Sequence, residues 1–240
     1  MEENLKIEEY KILLEKMDSL CNKMPDIIFQ NYFDNNKYLY SLYHEAFNSI
    51  KGFCVLMGNG ALISQSTAVL RMAIEQTATI RILEEHKELQ EKYIEHQKLR
   101  FNIKDKSYLE QIEFVKTNFK NIMDDYDKNN ALKYLEYGWF KSINGKYGFN
   151  TLIDLSKIQE QDDAIIQWKS QLNKFIHGVL EFANISFSAD ALIIYAHNLI
   201  EIAAKLLDII IVEFHNENKF NFVIDNVNYR EAFLDAYKSI

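Results

Sequence analysis

One proline and seven glycines in 240 residues leave this chain short of the turn formers that a β-architecture needs. Sandwiches and barrels show turn signals about every 8–12 residues. Here long stretches pass with no such break, so the expected class is all-α. With 48% apolar and 26% charged residues, the chain belongs to the globular class, and its length suffices to bury a sizeable core. The reading is a single all-α domain over 1–240. It is a bundle of about seven or eight helices with a core over about 35–215, on which the N- and C-terminal helices pack.

A net charge of −8 and a pI near 5.3 argue against broad adhesion to DNA or to anionic membranes, though not against a local basic site. The N-terminus MEENLKIEEYK lacks the apolar stretch of a secretory signal. The most apolar stretch, 191–214, carries Glu201, Lys205, Asp208 and Glu213, charges that cost several kcal/mol in a bilayer centre. His197, Glu201, Lys205 and Asp208 fall on one helical stripe, so a core helix with a polar seam is expected. The expected setting is cytoplasmic, with no DNA and no membrane as partner. Cys21 and Cys54 show no metal-ligand spacing and read as small apolar residues in a reducing compartment.

Hydrophobic periodicity divides the chain into helices. Residues 2–22 place Leu5, Ile12, Leu13, Met17 and Leu20 near one face. Pro25 suits the first turn of a second helix. A third helix runs over 36–56, to the breaker Gly58-Asn59-Gly60. Between Gly52 and Ile80 the only charged residues are Arg71 and Glu75, so 61–84 is expected to be buried nearly all round and central to the bundle. A kink near Glu85-His86 leads into a solvated segment, 87–104, on which His86 and His96 read as solvated. Further helices are expected over 107–135, with a loose acidic middle at 124–127, then over 162–180 and 188–216. A polar connection, 216–228, precedes a short terminal helix.

Three constellations carry possible chemistry. Arg71 and Glu75 lie one turn apart: either an internal ion pair, or an anion-binding guanidinium oriented by Glu75. Asn173 and His177 lie one turn apart on the 162–180 helix, with Lys169 and Lys174 nearby and Gly178 following. They form either a structural hydrogen-bonding pair or a general acid/base site. In 137–150, Lys141 and Lys146 interleave with Tyr137, Trp139, Phe140 and Tyr147, with no acidic residue from Tyr137 to Ile153. That composition suits single-stranded nucleic acid, where bases stack and phosphates are neutralised, and equally a packed loop. His197 and Glu201 have metal-ligand spacing, but Lys205 on the same stripe opposes a cation. No metal and no cofactor is expected.

The order Leu70-Arg71-x3-Glu75, Tyr137-Gly138-Trp139, then Leu172-Asn173-x2-Ile176-His177 resembles a group of uncharacterised bacterial all-helical proteins known as a domain of unknown function. The helical organisation and the terminal histidine are also similar to the HEPN superfamily of toxin–antitoxin and anti-phage systems. Its active members are metal-independent endoribonucleases that use an Arg and a His across a dimer. Asn173 and His177 match that motif's polar residue and histidine, whereas Ser170, Gln171 and Leu172 stand where the arginine is expected. The resemblance implies a defence- or toxin-type protein acting on single-stranded RNA as a homodimer. His177 would be the acid/base, Asn173 its orienting partner, Arg71 the cation at the phosphate and Glu75 its support. Trp139, Lys141, Lys146, Lys169 and Lys174 would contact RNA. The alternative is a non-catalytic protein–protein interaction or antitoxin-like regulatory module, in which Arg71, Glu75, Asn173 and His177 form one buried network.

Overall fold

A computed structural model describes residues 2–32, 37–59, 63–158, 189–218, 222–224 and 227–240. Of the described residues 86% are helical, so the chain is all-α. None of their helices is long and apolar enough to cross a membrane. Contacts divide the chain into two compact units, Met1–Ile80 with Ile158–Ile240, and Arg81–Lys157.

In the first unit, helix α1 (Glu2–Tyr32) packs on α2 (Lys37–Gly58), on the long α10 (Ala189–Asn218) and on the C-terminal α11 (Tyr229–Lys238). A two-stranded antiparallel ribbon, Val223–Ile224 with Val227–Asn228, precedes α11. Asn228 caps α11 by accepting from the Glu231 N–H at 3.1 Å. Along α1 the buried stripe is Tyr10, Leu13, Met17, Leu20, Cys21 and Met24, at the three- and four-residue spacing of one helical face. Ile12, expected on that face, lies on its flank and is 42% exposed. Pro25 does not open a second helix but sits inside α1. It forfeits one backbone bond to the Cys21 carbonyl. Leu20, Cys21 and Met24 are buried around that turn, and tertiary packing of this kind is what sustains most helices in proteins. Burial pushes the thiols of Cys21 and Cys54 up, in keeping with a packing role.

Apolar burial is more complete along the middle of α10 than along α3 (Ile63–Glu85). From Leu199 to Ile211 every apolar side chain of α10 is at most 4% exposed, whereas Met72 on α3 is 53% exposed. Helix α3 is rich in hydroxyls that bond back to its own carbonyls: Thr67 to Ile63 at 2.7 Å, Thr77 to Ala73 at 2.7 Å and Thr79 to Glu75 at 2.8 Å. Low charge in that stretch therefore reflects internally satisfied hydroxyls rather than burial on all sides.

The second unit begins in the last residues of α3. The chain breaks at His86, turns through Lys87–Leu89 and continues as α4 (Gln90–Asn102). The expected 107–135 helix is three helices: α5 (Tyr108–Asn118), α6 (Asp125–Asn129) and α7 (Ala131–Tyr137). The acidic run is a start signal, not a loose middle. Asp124 accepts from the Asp127 N–H at 2.8 Å, and Asp127 accepts from the Asp124 N–H at 3.1 Å, a reciprocal cap that begins α6. Helix α7 packs on both α4 and α5. Two short helices, α8 (Lys141–Asn144) and α9 (Phe149–Ser156), complete the unit.

Candidate functional site

Helix α3 brings Arg71 and Glu75 together, with Nη1 and Oε2 3.2 Å apart and side chains 23% and 22% exposed. The pair lies at the edge of the unit, neither sealed nor open. Thr67 stands one turn before Arg71 and Thr79 one turn after Glu75, which makes a polar stripe along α3. From α10, the Tyr195 hydroxyl lies against Thr67; burial raises its pKa and the Thr67 contact opposes that rise. A guanidinium in this position can hold an anion only in competition with Glu75. Asn173, His177, Lys169 and Lys174 lie outside the described residues, so of the expected acid/base site the structure brings together Arg71 and Glu75.

The 137–150 segment is built of short helices rather than open loop. Trp139 is 2% exposed. Its ring meets Tyr93 edge-on at 5.2 Å and Phe140 at 4.9 Å, which leaves no face for a base. Lys141 reaches Asp124 at 2.8 Å and Asp127 at 2.7 Å. Burial disfavours its charge, but the two carboxylates outweigh that and raise its pKa. Asp127 is fully buried because it has two duties, capping α6 and balancing Lys141. Burial and the neighbouring Asp127 push the Tyr147 hydroxyl up as well. Of the three residues expected here to meet RNA, Lys146 is the one exposed to solvent.

Two histidines take places that the periodicity does not show. His96, expected to be solvated, is 3% exposed. Its Nδ1 lies 2.9 Å from the Leu135 carbonyl and its ring packs between Phe119 and Tyr134. A carbonyl only accepts, so Nδ1 carries the hydrogen. Desolvation drives the pKa down to about 4, despite the Leu135 bond, which raises it. His197 stacks on Tyr10 with ring centroids 3.8 Å apart. The Tyr10 hydroxyl donates to Glu201, and burial followed by Glu201 raises its pKa. Among the described residues, no group of three or more His, Cys, Asp or Glu side chains can hold a metal ion.

No protein-family model, no curated protein and no solved structure matches this chain. The geometry alone carries the functional argument.

One surface feature leaves no mark in the sequence pattern. At the turn between α4 and α5, Phe101 is 71%, Tyr108 67% and Leu109 73% exposed. The turn itself is well held. Ile103 is buried beneath it, the Lys106 N–H donates to the Ile103 carbonyl at 3.0 Å, and Ser107 with Glu110 forms a capping box that starts α5. Lys104 Nζ lies 4.9 Å from the Phe101 ring centroid and Lys106 Nζ 5.3 Å from that of Phe114. Periodicity hides this cluster, because Tyr108 falls seven residues before the buried Val115, on the same helix face.

Proposed function

We propose that this chain works as a binding module in a cytoplasmic setting, with the α4–α5 turn as its contact surface. The observation that carries this reading is the exposure of Phe101, Tyr108 and Leu109 within nine residues, at a turn closed by the Ser107–Glu110 capping box. Large apolar side chains kept in water within so short a stretch are the kind of feature that marks an interaction site. The charged candidates for chemistry point the same way: Arg71 is engaged by Glu75, and Lys141 by Asp124 and Asp127.

A second reading, metal-independent RNA cleavage by a HEPN-like dimer, draws support from the partial exposure of Arg71 beside a hydroxyl-lined stripe. In that reading His177 is the acid/base, Asn173 orients it, and Arg71 stabilises the charge developing on phosphorus. The two readings part in one experiment. Wild type and His177→Ala are incubated with labelled single-stranded RNA in EDTA, and both are melted thermally. The binding reading expects no cleavage by either protein. Cleavage by wild type that disappears in a variant melting like wild type would replace it with the nuclease.

A further inference from the structure

We infer that Asn144 is a site of spontaneous covalent modification. Its side-chain amide is lost through a cyclic imide with the Gly145 nitrogen and replaced by an aspartyl or isoaspartyl carboxylate. The site lies in the turn after α8 and does not depend on the binding reading above.

The chemistry needs only groups on this turn and water. The Gly145 nitrogen gives up its proton and attacks Cγ of Asn144. A five-membered imide forms and ammonia leaves. Water then opens the ring. Breaking the bond between nitrogen and Cγ restores the ordinary main chain with an aspartyl side chain. Breaking the other imide bond routes the main chain through Cγ, one carbon longer, and leaves the carboxylate as its branch.

Two asparagines in the chain precede glycine, Asn59 and Asn144, and glycine, with no Cβ, permits the closest approach to its backbone. The fold treats the two differently. Asn144 Oδ1 accepts from the Lys146 N–H at 3.0 Å. That bond draws charge from the carbonyl carbon to be attacked. It also folds the side chain along the Gly145 peptide, so the reacting groups are held as neighbours. Gly145, at φ +76°, has open space where a Cβ would stand. Both residues are exposed, so water reaches the imide. Asn59 is turned the other way. Its amide nitrogen donates to the Val55 carbonyl at 2.8 Å, one turn back along α2, which draws the side chain away from the residue that follows.

The Gly145 N–H donates to the Lys141 carbonyl at 2.8 Å, and this bond must open before the nitrogen reacts. It closes a helix of four residues that has no side-chain cap at its start. So short a helix gains little from cooperativity, and its local opening costs less than global unfolding. Conversion then places a carboxylate in a segment, Tyr137 to Ile153, that holds no acidic residue, two residues from the exposed Lys146.

The test warms the full folded chain in mildly alkaline buffer and follows tryptic peptides by mass spectrometry over time. Cleavage after Lys141 and Lys146 releases Asn144 within 142–146, and cleavage after Lys51 and Arg71 releases Asn59 within 52–71. The 142–146 peptide should gain the mass of amide-to-acid conversion and split into two chromatographic forms. One of these should accept a methyl group from a protein-isoaspartyl methyltransferase. Conversion should run severalfold faster there than in 52–71. Gly145→Ala should slow it severalfold, and Asn144→Gln, which melts like wild type, should leave that peptide unchanged in mass. Conversion of 142–146 no faster than that of 52–71, or conversion that occurs only when the chain is unfolded in urea, overturns the inference.

Discussion

Lys141 Nζ sits 2.7 Å from an Asp127 carboxylate oxygen, and the Asp127 side chain is wholly shielded from solvent. The second unit thus contains an ion pair that also ties the start of α6 to the start of α8. Such a pair adds little net stability over an apolar substitute, but removing one partner strands the other charge in a medium that solvates it poorly.

Lys141→Met, which leaves Asp127 buried and without its nearest cation, should therefore destabilise the protein by about 3–5 kcal/mol. Asp127→Ala leaves Lys141 partly exposed and still paired with Asp124, so it should cost less, about 1–2 kcal/mol, with loss of the α6 cap contributing about 1 kcal/mol of that. Urea unfolding followed by circular dichroism measures both. A loss below about 1 kcal/mol in Lys141→Met would mean that water reaches the carboxylate.

His96 sets a pH dependence whose sign follows from its burial. Its folded pKa, about 4, lies below its ordinary value of 6.5. Between the two the unfolded chain binds the proton and the folded chain does not, so stability rises with pH across that window. The contribution is complete above pH about 6.5 and is lost as pH falls to about 4, amounting to roughly 3 kcal/mol at most. His96→Phe should flatten this part of the stability curve relative to wild type. Equal slopes for the two proteins between those pH values would show that His96 is not held neutral.

Gly148 and Gly138 are fixed by different contacts. Gly148 has φ +125°, and an added Cβ would come within 2.8 Å of the Lys133 side chain. At Gly138 an added Cβ would fall 2.8 Å from the ring of Tyr134, which is only 4% exposed. Gly148→Ala should cost about 1–3 kcal/mol through backbone strain. Gly138→Ala should cost a similar amount through overpacking. Gly145, at φ +76° with open space around it, should tolerate Ala with a loss of about 1–2 kcal/mol. Thermal melts rank the three, and a Gly145→Ala variant less stable than both others would contradict the ordering.

The all-α class, the breaks near Gly58 and His86, and the span of α10 were legible in the sequence, because helix periodicity, caps and breakers are local properties. So was the Arg71–Glu75 pair, since two residues one turn apart meet on any helix. The acidic run at 124–127 holds a capping signal, Asp124 with Asp127 three residues on, which its charge density conceals behind the look of a loose segment.

Tertiary packing decided the rest. Which face of a helix meets a neighbour depends on what the fold brings alongside. That is why His96 is buried within a charged segment, Met72 is exposed on an apolar helix, and Pro25 lies within a continuous helix. Lys141 finds Asp124 and Asp127 from 17 and 14 residues away, a distance across which no periodicity operates. The exposed turn at Phe101, Tyr108 and Leu109 has the same origin. Sequence set the residues that favour helix and the points where helices stop. Only the packing of those helices fixed which polar groups are satisfied internally and which apolar groups remain in water.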